Sequence, residues 1–177
     1  SEKLFGDWEN SSNLENLFGD GSINSFKEAS NSDNISIHVV DVPNSSNVEV
    51  TFQNIIKRTL KDENYFSANI ANRVLGARPE SRLESVIRED NGYAYYARSI
   101  LSSNSDTKTK FQARTTVRDE VTDSAVVEIY NQLSKMGETY ITDEELENAK
   151  SGYFGSFAMS MEDSGTIAGQ ALNIMTE

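Results

Sequence analysis

The chain has 177 residues, no cysteine, 37% hydrophobic side chains and a formal net charge of −12, from 28 acidic against 16 basic residues. That length suits one domain. The acidity excludes a surface built to neutralise nucleic-acid phosphates. The missing thiols exclude disulfides, thiolate zinc sites and cysteine nucleophiles, and no apolar run approaches the ~20 residues of a membrane-spanning helix.

Ser1–Glu9 reads as the tail of a helix followed by a turn at Gly6-Asp7. Residues Asn10–Asn34 are rich in Asn, Ser, Gly and Asp, and the expectation is a long loop or insertion with a few apolar anchors. Ile35–Asp41 then alternates, with Ile35, Ile37 and Val39 on one face, which predicts a strand. Pro43 and Asn44-Ser45-Ser46 make a turn. Asn47–Ile56 alternates again through Val48, Val50 and Phe52, and the two segments read as antiparallel neighbours.

Asp62–Leu75 predicts a helix with Phe66, Ile70 and Val74 at four-residue spacing on one face and Gly76 as its stop. A shorter helix opens at Pro79-Glu80-Ser81, carries Leu83, Val86 and Ile87, and ends at Asn91-Gly92. Tyr93–Ser102 and Lys108–Val117 read as a second antiparallel hairpin across a polar turn at Ser103–Thr107. Thr122 caps a helix that buries Val126, Ile129, Leu133 and Met136 and stops at Gly137. Thr142-Asp143-Glu144-Glu145 has the spacing of a capping box and starts a helix carrying Leu146, Ala149, Tyr153, Phe154 and Phe157. A last helical segment follows Ser164 and keeps its apolar spacing to the final residues, without a stop signal. Together with the absence of an initiating Met, this gives the expectation of a single domain, 1–177, cut from a longer polypeptide. Hairpins separated by helices predict an α+β fold, with helices on one face of an antiparallel sheet.

The chemistry on offer is sparse. His38 is the sole histidine and falls in a predicted strand, where one imidazole cannot build a zinc site by itself. No H-x-x-E-H, glycine-rich phosphate loop or G-x-S-x-G elbow occurs. The acidic run Asp143-Glu144-Glu145 is explained by helix capping and the helix dipole. What remains is SRLESVIREDNGYAYYARS, residues Ser81–Ser99, in which Arg88 closes a helix and Tyr95 follows seven residues later across Gly92. Local physics accounts for both without a function, because the dipole favours arginine at a helix end and tyrosine suits strands.

The longer segment NYFSANIANRVLGARPESRLESVIREDNGYAYYARS closely resembles the C-terminal-domain signature of the pitrilysin/insulinase-like zinc metallopeptidases, the processing-peptidase-like family. The residues that carry the resemblance are Leu75-Gly76, Ser81-Arg82-Leu83, Ile87-Arg88-Glu89, Gly92 and Tyr95. Thr142–Phe157 (TDEELENAKSGYFGSF) and the turn Phe5-Gly6-Asp7-Trp8 extend it over nearly the whole chain except Asn10–Asn34. The resemblance implies a processing-peptidase/insulinase-like domain whose relatives assemble into a hollow clamshell around a peptide. In that family an inverted H-x-x-E-H motif with a distant Glu holds zinc on the catalytic domain, and this sequence has no such motif. The implied role is therefore that of a non-metal domain, inactive alone, whose zinc lies in a partner catalytic domain or subunit. By resemblance, Arg88 and Tyr95 are the candidate pair for binding a substrate carbonyl and stabilising the oxyanion. The alternative is a purely structural assembly domain of a degenerate, non-catalytic subunit. Absent cysteine and Asn/Ser-rich character point to a bacterial periplasm or cell envelope as the expected compartment.

Overall fold

Alternation in three segments becomes three strands: β1 (Asn47–Ile56), β2 (Ala94–Leu101) and β3 (Thr109–Arg118). The computed structural model describes residues 31, 35–59, 61–103 and 108–176. The turn expected at Gly6-Asp7, the Asn10–Asn34 loop apart from Asn31, and most of the Ser103–Thr107 turn lie outside the described residues. The strands form one antiparallel sheet in the order β1-β3-β2, with Val50 opposite Thr115 and Phe52 opposite Ala113. Period-two geometry sends Val50, Ala97, Ser99, Ala113, Thr115 and Val117 to a buried face. The other face is polar. There Gln112 donates to the Gln53 carboxamide oxygen at 2.7 Å, and the Tyr96 and Thr116 hydroxyls meet at 3.0 Å.

The strand expected over Ile35–Asp41 is absent. The segment has no ladder partner in the sheet, and Ile35, Ile37 and Val39 are all at least 85% exposed. The neighbour of β1 is β3, not the preceding segment. The turn between the two explains why no hairpin forms. Ser45 N–H donates to the Val42 carbonyl at 3.1 Å, with Pro43 second and Asn44 third at φ 64°. That is the type II pattern, whose twist splays flanking strands instead of pairing them. The outer edge of β1 is instead met at Ile55, whose N–H donates to Asn31 Oδ1 at 2.7 Å and whose carbonyl accepts from Asn31 Nδ2 at 2.8 Å.

The helices are α1 (Tyr65–Leu75), α2 (Arg82–Glu84), α3 (Thr122–Glu138), α4 (Asp143–Ser160) and α5 (Ser164–Thr176). A π-helical turn, Ser85–Asp90, continues α2, and a 3₁₀ turn, Asp119–Val121, precedes α3. Helix α1 starts three residues later than the Asp62 start expected, because the Asp62 carboxylate accepts from the Thr59 N–H at 3.0 Å and so closes a turn of its own. Gly137 does not stop α3, which ends at Glu138. Thr122 is not its cap, since its hydroxyl donates back to the Arg118 carbonyl. The expected capping box of α4 is present. Thr142 Oγ1 accepts from the Glu145 N–H at 3.2 Å while Glu145 Oε2 accepts from the Thr142 N–H at 2.8 Å.

The core lies between the inner sheet face and Leu83, Ile87, Ala125 and Ile129, all of them nearly solvent-free. Leu133 and Met136 pack at its rim, whereas Val126 turns outward. The apolar face of α1 is likewise only partly inward: Val74 is buried and Phe66 is 65% exposed. Helix α4 joins the body through α1 and the connection that follows it. Arg73 donates to the Gly152 carbonyl at 2.7 Å, and Arg78 donates to the Asn148 carbonyl at 2.8 Å. Phe154 and Phe157 stay exposed on α4. Ile87→Ala should cost about 3 kcal/mol of unfolding free energy, the scale for emptying a filled core site. Phe66→Ala should cost less than about 1 kcal/mol, because little of the ring leaves water on folding. Urea denaturation of both variants beside the wild type reads the contrast.

Candidate functional site

The site is built where α1, α2 and β2 meet. Leu75 is buried and Gly76 follows it with φ −171°, an extended value open to any residue. The demand for glycine here comes from close approach: a Cβ would lie 2.6 Å from the Ser99 backbone nitrogen and 2.8 Å from Leu83 Cδ1. The Gly76 carbonyl accepts the Ser99 N–H at 2.8 Å, and the Ser99 hydroxyl donates to Asn72 Oδ1 at 2.7 Å. The Leu-Gly step is thus the point at which the end of α1 is fastened to the outer edge of β2.

Ser81-Arg82-Leu83 follows. Leu83 is a core residue, and Arg82 reaches outward to α4. Its Nε donates to Glu145 Oε1 at 2.6 Å and its Nη2 to Glu145 Oε2 at 2.9 Å, a planar two-bond fork. The Arg82 guanidinium, followed by the Thr142 N–H, holds the Glu145 carboxyl down at about 2. Arg82 is pushed up in return, chiefly by the same hydrogen bond.

Glu84 is the residue that sequence reasoning missed. It is 8% exposed, and its two carboxylate oxygens serve two elements. Oε2 accepts the Ala97 N–H of β2 at 2.8 Å, and Oε1 accepts from Arg88 Nη1 at 2.9 Å. The four-residue spacing of Glu84 and Arg88 was the available signal. The contact with β2 was not visible in one dimension. Arg88 sits in the π-helical turn, with its side chain 52% exposed.

Strand β2 enters with a bulge. Ala94 faces Val117 but Ala97 faces Thr115, so three steps on β2 match two on β3. The extra residue re-aims the side chains, and Tyr95 is 95% exposed. The Tyr96 carbonyl is taken by the buried Thr115 hydroxyl at 2.6 Å. The other tyrosines have structural places: Tyr93 packs against the core, and the Tyr96 ring lies under the Arg98 guanidinium at 4.7 Å. Glu84 therefore ties Arg88 to β2 at Ala97, two residues beyond Tyr95.

His38 lies exposed in the extended segment before β1. Among the described residues no group of three or more His, Cys, Asp or Glu side chains could hold a metal ion. No helix among them is long and apolar enough to cross a membrane.

The family model of the peptidase M16 inactive domain matches residues 1–153. The chain belongs to the peptidase M16 family, as its inactive domain. Solved structures share the fold of this M16 domain. An M16 inactive domain from Pseudomonas fluorescens is 22% identical with a TM-score of 0.59, covering 63% of this chain and 27% of that one. A protease from Helicobacter pylori is 20% identical with a TM-score of 0.66, covering 73% and 31%. The periplasmic protease PqqL from Escherichia coli is 17% identical with a TM-score of 0.60, covering 73% and 14%. The M16 domain described here therefore spans less than a third of the length of these chains. Among curated proteins none matches.

The Arg82–Glu145 fork gives this M16 domain an acid-sensitive joint between α2 and α4. Because the folded-state pKa of Glu145 is depressed, its contribution is fully present above the ordinary 4.5 and is lost as pH falls toward about 2. Glu145→Gln should lower stability by about 1 kcal/mol at neutral pH, allowing for solvent screening. The gap to the wild type should close below that window. Thermal melts of the two proteins from pH 7 to pH 2 measure it.

Proposed function

We propose that this inactive domain packs against a zinc-bearing domain of the same family, helps to close a peptide-binding chamber, and supplies Arg88 and Tyr95 to the scissile peptide. The observation that carries the reading is the link just described. One buried carboxylate holds a half-exposed guanidinium and also binds the strand two residues beyond an exposed tyrosine, and by resemblance these are the positions of the family's arginine and tyrosine. A guanidinium donates to a substrate carbonyl through a planar fork. A phenol O–H donates to the oxygen that gains charge when the peptide carbon is attacked. The metal and the base belong to the facing domain, which supplies the hydrolytic water. The exposed apolar face of α4, with Phe154 and Phe157, supports a second domain packing on this one.

A second reading, assembly without catalysis, is favoured by one observation: Arg88 already has a carboxylate partner. The two readings part on one substitution. In the parent peptidase, Tyr95→Phe removes one donor and almost no volume, so kcat should fall by roughly a hundredfold with a small change in KM and in melting temperature. Arg88→Lys should be little more active than Arg88→Ala, because an ammonium lacks the fork. Wild-type turnover in Tyr95→Phe favours assembly alone. By itself the chain should retain no stoichiometric zinc after dialysis, as read by elemental analysis, and should cleave no peptide.

A further inference from the structure

We infer that Glu84 is a positioning residue for the Arg88–Tyr95 pair, acting through its carboxylate and not through packing. The inference rests on the proposed function and names the group that holds that site in shape. A glutamate only 8% exposed has to satisfy both oxygens from within the protein. Glu84 satisfies one on the Ala97 N–H, at the exit of the bulge that presents Tyr95. It satisfies the other on Arg88 Nη1, at 2.9 Å.

Both ends of this bridge are irregular. The backbone changes from α to π hydrogen bonding straight after Glu84, and the π turn brings Tyr93 N–H to the Ile87 carbonyl at 2.9 Å. Helix insertions of this kind occur often at functional sites. On the strand side the bulge is held from two directions, by Glu84 on the Ala97 N–H and by the buried Thr115 hydroxyl on the Tyr96 carbonyl. An apolar residue at position 84 would leave the Ala97 N–H without its acceptor and Arg88 without a fixed rotamer. A glutamine would keep one acceptor for Ala97 but turn an N–H₂ donor toward a guanidinium, which has no acceptor to offer. Glu84→Gln therefore separates the two functions of the carboxylate.

The test has two parts. In the full chain, NMR reads the order of the Arg88 guanidinium, the exchange protection of the Ala97 amide and the Glu84 carboxyl ¹³C shift. Glu84→Gln should release Arg88 while leaving Ala97 protected to within about twofold. If that variant does not fold, Arg88→Gln reads the same link from the solvent side through a moved Glu84 carboxyl shift. In the parent peptidase, Glu84→Gln should lower kcat by roughly tenfold, the equivalent of one hydrogen bond to a charged group, with KM little changed. It should cost nothing further in an Arg88→Ala background. An Arg88 guanidinium equally ordered without the carboxylate overturns the inference, and so does an additive loss in the Arg88→Ala background. Failure of the proposed function is a separate result, because it is read from Tyr95→Phe alone.

Discussion

Strand β2 has an outer edge whose N–H groups face away from β3 and need acceptors. The connection from α1 through α2 supplies two, the Gly76 carbonyl to Ser99 and the Glu84 carboxylate to Ala97. A buried N–H left unpaired is costly, so this edge and this connection hold each other in register. The rest of the site follows from the fastening. A side chain at position 76 has no room, Leu83 and Ile87 are driven into the core, and the helix loosens into π geometry to carry Arg88 past the strand entrance. The edge that would otherwise invite another strand is thereby closed.

The bulge is the second consequence. Strict alternation would put Tyr95 on the side of Ala97 and Ser99, both of which are buried. The extra residue at the entrance to β2 puts Ala94 opposite Val117 instead and leaves Tyr95 in solvent. A ring left 95% exposed gains almost nothing from burial, so folding alone gives no reason for a tyrosine there. Tyr93 and Tyr96 differ in this respect, since each has a packing or hydrogen-bond partner that explains it.

Arginines fasten α4 to the rest of the domain. Arg73 and Arg78 donate to carbonyls of α4, and Arg82 forks onto Glu145 at its first turn. Gly152 takes part by absence, because a Cβ there would fall on the Arg78 guanidinium. Polar joints of this kind hold α4 against α1 without covering its aromatic residues. Phe66 meets Tyr153 edge-on at 6.3 Å and Tyr153 meets Phe154 at the same distance, yet Phe66 and Phe154 remain mostly exposed. The body is anchored by the sheet core and α4 by charge-assisted hydrogen bonds, which explains why acid should loosen the second before the first.

The sequence by itself determined the elements whose periodicity is local. Alternation located β1 and the β2–β3 hairpin, three- and four-residue spacing located α1 and α3, and the Thr142/Glu145 pair located the start of α4, because each of these signals is written within one or two turns of chain. The motif residues from Leu75 to Tyr95 were legible as a resemblance, and they marked Arg88 and Tyr95. Tertiary structure decided the rest. Which strand lies beside β1 depends on the twist of the turn at Pro43-Asn44, so an alternating segment at Ile35–Asp41 was left unpaired. The faces of α1 and α3 that became core depended on what stood opposite them, so Phe66 and Val126 stayed outside. No sequence pattern singled out Glu84. It became the bridge between Arg88 and β2 because only folding brings position 97 to position 84, and a carboxylate enclosed there must take the N–H it meets.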